Sequence, residues 1–281
     1  MRDISVLQVK EVLRKAIDDL AIIYPKDVYA ALHDAYEKES SAKAKAGLGM
    51  LMENAQIAAE QRIPICQDTG MMVIWLHVGQ EVHFVDGNLK EAVNEAVAEG
   101  YKKNYLRYSV VDDPVFDRHN TGNNTPCILY TDIVEGDKVT FEMTTKGFGS
   151  ENTSAIKMCK PAEGMYGVME FVVDTVKKAG PNACPPMVVG VGIGGTFDYA
   201  AQLAKRALLR DIGTYNEDEN YAEVEKELYK RLNDLKIGAL GLHGDTSVLG
   251  VMIEKAPTHI AGMPVAVNIC CHVNRHAKGE I

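Results

Sequence analysis

The sequence predicts a mixed α/β (α+β) fold, in which a helical N-terminal portion precedes a sheet with flanking helices. Residues 5–60 carry apolar side chains at helical spacing, and after Gly70 apolar runs such as MMVIWLHV alternate with helical patterns. The 281 residues, 46% hydrophobic and 25% charged, are enough to build a sizeable core. No repeat or linker is visible. We therefore predict one large domain over residues 1–281, with a helical part of about residues 1–62 packed on it.

The elements follow in order. The N-terminal portion predicts helices over residues 5–24, 27–38 and 42–62, and Pro25 separates the first two. Strands are predicted over residues 71–78 and 81–85 as a hairpin, over 127–134 and 138–145 around the turn Glu135-Gly136-Asp137, and over 187–191, 246–254 and 265–270. Further helices are predicted over residues 89–103, 161–178 and 197–210, and one charged helix or a pair of helices over 217–235. Loops are predicted over residues 105–124 and 146–152.

The charge balance limits the possible partners. The formal net charge is −9 and the pI about 5.4, which disfavours binding to nucleic acid or to an anionic membrane. A small acidic substrate is compatible with this charge, because local arginines can dominate one pocket. The chain has no run of eighteen apolar residues and begins without a signal-peptide core. We expect a cytoplasmic protein.

Six cysteines are present, and in a reducing compartment a chain of this length does not use them as a disulfide framework. Three occur in polar, turn-rich contexts: Cys66 (PICQDTG), Cys184 (NACPPM) and Cys271 (CCHVNRH). The other three are interpreted as small apolar core residues: Cys127, Cys159 and Cys270. Strand alternation places only one of the adjacent pair Cys270 and Cys271 on a given face.

Three cysteine thiolates can hold an iron–sulfur cluster and leave one iron open, as a Lewis-acid catalyst requires. Buried, unliganded thiols are the alternative at this point, because the sequence has no short Cys-x-x-Cys motif.

Five ordered motifs give the cysteines a context. They are CQDTG, NYLRYSVVDDPVFDRHNTGNN, KGFGSEN, ACPPMVVGVGIGGT and a C-terminal cysteine followed by xxxR. Together they resemble the α subunit of class I, iron–sulfur-dependent fumarate hydratase, a family that includes the L-tartrate dehydratase α subunit. The resemblance extends from CQDTG to the C-terminus. It implies a 4Fe–4S cluster with one open iron that binds substrate, held by Cys66, Cys184 and Cys271.

The resemblance also implies substrate contacts. Gln67 would hydrogen-bond a substrate carboxylate or hydroxyl, and Asp68 would move a proton to or from the departing water. Arg107 would bind a carboxylate in bidentate fashion, which lysine cannot reproduce. The alternatives are a solvated turn for Gln67 and Asp68 and a surface salt bridge for Arg107.

Two further residues match the family site. His259, twelve residues before Cys271, matches an active-site histidine and would share proton transfer with Asp68. Its alternative is a turn histidine after Pro257. Gly149 would let the backbone approach the ligand closely.

The run from Gly190 to Gly195 fits G-x-G-x-x-G between a strand and a helix, which is the pattern of dinucleotide-binding proteins. The acidic residue that should close a second strand is missing, because Asp211 lies at the end of a helical pattern. We therefore interpret the run as a glycine turn near the cluster or the substrate, with a redox cofactor as the alternative.

The leading functional prediction is a hydro-lyase that hydrates fumarate to malate in the tricarboxylic acid cycle, with the open iron as Lewis acid. The alternative is dehydration of L(+)-tartrate to oxaloacetate. A non-catalytic iron–sulfur carrier or sensor is the alternative from another class, disfavoured because carriers usually close all four irons with cysteine.

The resemblance implies partners as well. Single-chain members of the family continue into a second domain, so we expect a separate β subunit to complete the active site. The expected substrate is a C4 dicarboxylate, and the expected assembly is a higher oligomer.

Overall fold

The computed structural model describes all 281 residues. Its helices, in chain order, are α1 (Val6–Leu20), α2 (Lys26–Lys38), α3 (Ala42–Gln61), α4 (Leu89–Lys103), α5 (Phe148–Glu151), α6 (Gly164–Ala179), α7 (Phe197–Ala207) and α8 (Glu219–Asn233). Its strands are β1 (Arg2–Ser5), β2 (Met71–Gly79), β3 (Val82–Val85), β4 (Ile128–Val134), β5 (Val139–Lys146), β6 (Ala155–Cys159), β7 (Met187–Gly195), β8 (Val248–Thr258), β9 (Met263–Cys270) and β10 (His276–Glu280). The predicted mixed α/β class is confirmed. None of the helices combines the length and the hydropathy needed to cross a membrane.

The chain divides into two compact units. The first unit comprises Met1–Pro25, Asn54–Gly147 and Arg275–Ile281, and the second comprises Lys26–Glu53 and Phe148–Asn274. The predicted N-terminal helical portion is divided between them, because α1 belongs to the first unit and α2 to the second. One domain over residues 1–281 stays a prediction.

The first unit is built on a four-stranded sheet in the order β10-β5-β2-β4. Strand β2 pairs in parallel with β4 and antiparallel with β5, which also pairs with β10. Helices α1 and α4 pack against each other. Leu13 and Ile17 of α1 and Val93 and Val97 of α4 are fully buried in one core with the sheet. The helical spacing of apolar residues in α1 and α4 thus builds this core.

Strand pairing in the first unit differs from the prediction. Strand β3 does not form a hairpin with β2; it pairs in parallel with β1, which the sequence did not predict. Strands β4 and β5 flank β2 and do not pair with each other. The polar C-terminal residues form β10, at the edge of the sheet. Edge strands carry polar residues because one side faces solvent, so the apolar pattern that identifies central strands is absent there.

The second unit contains a four-stranded sheet in the order β6-β9-β7-β8. Strand β7 pairs in parallel with β8 and antiparallel with β9. Its residues Val189, Val191 and Ile193 share a core with α6 and α8. The alternating positions Gly190 and Gly192 point to the other face, against α7.

The glycine run has a packing role in the structure. Gly190 and Gly192 lie inside β7, and a Cβ on Gly192 would overlap the carbonyl oxygen of Ala200 in α7. Only Gly194 and Gly195, with φ of 93° and 66°, form a turn. This turn is at the end of β7 away from Cys184, and its place near a cluster or a substrate stays a prediction. Gly190 and Gly192 allow α7 to approach the sheet closely.

We therefore expect Gly192→Ala to lower the free energy of unfolding by about 2–3 kcal/mol, because α7 must move away from β7. The new Cβ would lie 2.6 Å from the backbone nitrogen of Ala204. The matched control is Gly49→Ala in α3, where the nearest atom is 3.4 Å away, on Tyr36. This control should gain up to about 1 kcal/mol of helix propensity. Urea unfolding followed by circular dichroism measures both, and equal midpoints would contradict the packing role.

Candidate functional site

The CQDTG segment lies between α3 and β2, as predicted. Cys66 and Asp68 are half-buried and Gln67 is exposed. The Cys66 sulfur lies 3.7 Å from Gln67 Oε1. Asp68 Oδ1 accepts a hydrogen bond of 3.0 Å from the amide of Gly70, which closes a tight turn. A thiol, an amide and a carboxylate are thus gathered at the start of a strand.

Buried contacts fix this turn. The hydroxyl of Tyr101, fully buried, lies 3.0 Å from the carbonyl oxygens of both Thr69 and Gly70 and shares its hydrogen between them. Burial raises the pKa of Tyr101, so the phenol keeps the proton that these contacts need. Gly70 has φ of 77°, and a Cβ there would lie 2.8 Å from the backbone of Lys146. Only glycine fits this position without strain.

The same contacts join the CQDTG segment to the segment that carries Arg107. Thr69 Oγ1 donates to the carbonyl oxygen of Arg107 at 3.1 Å. Asn124, fully buried, donates from Nδ2 to Gly70 O at 3.2 Å and accepts at Oδ1 from the amide of Ser109 at 2.7 Å. Sequence analysis missed Asn124, because it is one of three asparagines in the loop of residues 105–124.

The Arg107 side chain is exposed and forms no ion pair or side-chain hydrogen bond in the structure. The surface salt bridge considered from the sequence is therefore not seen. The first unit brings Arg107 into the neighbourhood of Gln67 and Asp68 through Thr69. A planar cation with free donors is suited to a carboxylate ligand.

In the second unit, two candidate ligands lie at one end of the sheet. Cys184 is exposed and precedes β7, and Cys271 is half-buried and follows β9. Strands β7 and β9 are antiparallel, with Val188 opposite Cys270, so the start of β7 and the end of β9 coincide. The amide of His272 donates to the carbonyl oxygen of Cys184 at 3.3 Å. Two cysteines 87 residues apart in the chain are thereby brought to one end of the sheet.

Gly149 belongs to the same end of this unit. Its helix α5 packs on β9 and on the short helical turn Gly180–Ala183 that precedes Cys184. Glu151 Oε2 of α5 accepts a hydrogen bond of 3.0 Å from Asn268 Nδ2, which ties α5 to β9 three residues before Cys271. Gly149 is exposed, and no atom lies within 4 Å of the position that a Cβ would take.

His259 is located elsewhere in the second unit. It is exposed in the connection between β8 and β9, and its Nδ1 accepts from the amide of Ala261 at 3.2 Å. The eight residues of β9 separate it from Cys271 by about 26 Å at 3.3 Å per residue. Within one chain, His259 is therefore not brought together with Cys184 and Cys271, and its conformation is that of a turn histidine.

The remaining cysteines are buried, as predicted. Burial raises the pKa of the Cys127 thiol to about 11 and also raises that of Cys159. Cys270 is 2% exposed. A thiol that stays protonated is a poor metal ligand, because metals bind the thiolate. The structure thus separates three buried thiols from three that are accessible: Cys66 in the first unit, and Cys184 and Cys271 in the second.

This donor set fits an iron–sulfur cluster, since soft thiolates are the ligands that such clusters take. The first unit also has an exposed guanidinium, that of Arg107, and the Asp68 carboxylate two residues after Cys66. The features of this class are a mixed α/β fold, accessible thiols suited to a metal cluster and an exposed guanidinium suited to a carboxylate.

The comparison with known families agrees with this class. The model of the family described as "Fumarate hydratase (Fumerase)" matches residues 10–280, and the chain belongs to this family of hydro-lyases. The resemblance read from the five motifs is confirmed. The family is of the iron–sulfur type, which supports an iron–sulfur cofactor in general.

The similar relatives have a common name. The "Putative L(+)-tartrate dehydratase subunit alpha" of Methanocaldococcus jannaschii is 40% identical over 279 residues, which cover 98% of this chain and 98% of that protein. The "L(+)-tartrate dehydratase subunit alpha" of Escherichia coli K12 and that of Shigella sonnei are each 36% identical over 255 residues, 89% of this chain and 83% of theirs.

The geometry predicts that Asn124 holds the two segments of the first unit together. Asn124→Ala should lower the free energy of unfolding by about 2–4 kcal/mol, because buried amides lose their acceptor and alanine is placed at φ of 61°. Urea unfolding of the isolated chain measures this loss.

The control is Asn120→Ala, which removes exposed hydrogen bonds from the same loop. Water can replace these bonds, so the loss should stay below about 1 kcal/mol. If the two variants unfold alike, Asn124 does not have the linking role.

Proposed function

We propose that this chain is the α subunit of an iron–sulfur hydro-lyase that dehydrates L(+)-tartrate, with oxaloacetate as the product after tautomerisation. The observation that carries the proposal is the relative named for this activity, 40% identical over 98% of both chains. Hydration of fumarate to malate, the leading prediction from the sequence, becomes the second candidate. It is supported by the description of the matching family, and a place in the tricarboxylic acid cycle depends on it.

The proposed cluster ligands are Cys66, Cys184 and Cys271, the three accessible thiols of the chain. A 4Fe–4S cluster with three cysteine ligands supplies, when bound, a Lewis acid at the iron that no cysteine holds. Cys184 and Cys271 lie at the same end of one sheet, and this placement supports a shared role for the two residues.

The residues of the chain would divide the remaining work. The Arg107 guanidinium binds one carboxylate of the substrate in bidentate fashion, which orients the carbon skeleton. Gln67 donates to a carboxylate or hydroxyl oxygen of the substrate. Asp68 transfers the proton that elimination of water requires. The open space over Gly149 leaves room for the substrate to approach the backbone.

His259 keeps a candidate role in proton transfer only if a second copy of the chain supplies it. The separation of about 26 Å along the eight residues of β9 excludes direct action on a group bound at Cys271 of the same chain. A role of His259 in proton transfer therefore requires the higher oligomer that the sequence predicts. The roles proposed for the other residues do not require it.

A β subunit is the proposed partner. The relatives are named as α subunits, and a dicarboxylate presents two carboxylates, of which the matched Arg107 binds one. The second carboxylate then needs groups from elsewhere, since both ends must be held for efficient reaction. A cytoplasmic location stays a prediction.

The ligand assignment is tested by serine substitution. Anaerobically reconstituted protein should bind about four iron and four sulfide per chain. We expect the cluster to be lost in each variant of the accessible group, Cys66→Ser, Cys184→Ser and Cys271→Ser. The matched controls Cys127→Ser, Cys159→Ser and Cys270→Ser should retain it. Iron and sulfide analysis with the visible spectrum is the measurement, and loss in Cys270→Ser with retention in Cys271→Ser would move the assignment to the neighbour.

The substrate is tested by coexpressing this chain with its β subunit and assaying the complex anaerobically. We expect kcat/KM for L(+)-tartrate to exceed that for fumarate and for malate by at least about tenfold. D(−)-tartrate controls for stereochemistry. A preference for fumarate would establish the second candidate, and a cluster-loaded complex that turns over none of these acids would favour a carrier or sensor.

The same assay tests the division of the site between subunits. The α subunit alone, with its iron content confirmed, should be nearly inactive, because only one end of the substrate is held. Adding the β subunit should create activity. Comparable turnover by the isolated chain would show that all catalytic groups lie within these residues.

A further inference from the structure

Arg275, which directly precedes β10, is an unusual residue for the interior. Its side chain is 1% exposed, and its Nη2 donates to the carbonyl oxygen of Asp68 at 2.9 Å. Its Nε and Nη1 are buried and have no hydrogen-bond partner. Burying a guanidinium with unused donors is costly, so its presence beside the CQDTG segment requires a reason.

The carboxylate of Asp68 is close to this cation. A Cβ placed on Gly147 would lie 3.0 Å from Asp68 Oδ2 and 3.7 Å from Arg275 Nη2. Both groups therefore border one small space, which remains open because residue 147 has no side chain. The charges of both groups also affect the pKa of Tyr101. Burial raises the pKa of this phenol, the positive charge of Arg275 lowers it, and the negative charge of Asp68 raises it further.

Arg275 is itself held on a rigid part of the first unit. Its carbonyl oxygen accepts a hydrogen bond from Thr144 Oγ1 in β5, and the next residue, His276, pairs with Thr144 in the sheet. A guanidinium anchored on a sheet positions a loop residue more precisely than a guanidinium on another loop would. The sequence places Arg275 four residues after Cys271, in the xxxR of the last motif, for which sequence analysis found no role.

We infer that Arg275 is a positioning residue that fixes the main chain of Asp68 and directs its carboxylate for proton transfer. The inference rests on the proposed function, in which Asp68 moves the proton. Arg275 acts through Asp68 and does not itself bind the substrate. Its loss should therefore reduce kcat far more than it raises KM.

Three variants test this inference. Arg275→Met removes the charge and the donors, and Arg275→Lys keeps the charge but loses the planar fork. The matched control is Arg2→Met, because the guanidinium of Arg2 also donates to backbone carbonyl oxygens of the first unit, those of Asp137 and Ile281, at 3.1 and 3.3 Å. These contacts do not involve the CQDTG segment.

The first measurement is amide hydrogen exchange of the chain without cluster, followed by mass spectrometry. In Arg275→Met, exchange in the peptide covering residues 66–70 should rise by about tenfold or more, since the Asp68 carbonyl loses its donor. Arg2→Met should leave this peptide unchanged. Unchanged exchange in Arg275→Met, or a rise spread evenly over the first unit, would overturn a specific hold on Asp68.

The second measurement is steady-state kinetics of the complex with whichever dicarboxylate the wild type turns over. Arg275→Met should lose about 100-fold in kcat, the effect of a misplacement of about 1 Å, with KM within about threefold and iron content unchanged. Arg275→Lys should lose about tenfold, and Arg2→Met should be unaffected. Wild-type kcat in Arg275→Met would overturn the inference.

Should Arg275→Met fail to fold, Arg275→Lys decides: wild-type kcat and exchange in that variant would overturn the inference. A failure of the proposed function can be distinguished from a failure of the inference about Arg275. If the wild-type complex turns over none of the dicarboxylates, the proposed function fails, whereas the exchange experiment needs neither cluster nor substrate and tests the Arg275–Asp68 contact by itself.

Discussion

The buried hydroxyl of Tyr101, shared between the carbonyl oxygens of Thr69 and Gly70, is the contact on which the first unit's part of the site depends. It fixes a turn whose neighbours are a thiol, an amide and a carboxylate. Asn124 and the Thr69 hydroxyl then join this turn to the Arg107 segment. The hydrogen bonds of Tyr101 and Asn124 to this turn are buried and that of Thr69 is partly buried, and buried hydrogen bonds are expensive to leave unmade. The turn and the arginine segment are therefore positioned together.

In the second unit, candidate residues are positioned by the register of paired strands. Because β7 and β9 are antiparallel neighbours, the segment before β7, with Cys184, and the segment after β9, with Cys271, lie at the same end of the sheet. The same register sends His259 to the far end of β9. Strand register thus places two of the residues matched by the family motifs at one end of the sheet and a third at the other end.

Glycine serves three different needs in this protein. At Gly70 it allows a positive φ in a turn closed against the backbone, and in β7, at Gly190 and Gly192, it allows a helix to approach the sheet. At Gly147 it leaves space in which the Asp68 carboxylate and the Arg275 guanidinium are neighbours. The G-x-G-x-x-G pattern alone does not distinguish these uses, because what a missing Cβ makes possible depends on the neighbouring element.

The sequence by itself determined the mixed α/β class, most helices and central strands, the family, and the division of the cysteines. These follow from local periodicity and from residue types whose chemistry is strong, and α4 was predicted at both of its ends. Only the tertiary structure decided the pairing of β3 with β1, the strand β10, the buried contacts of Asn124 and Arg275, and the distance of His259 from Cys271. Polar edge strands and buried polar contacts between distant segments produce no periodic pattern of apolar residues in the sequence. Their hydrogen-bond partners depend on which segments pack together in the folded chain.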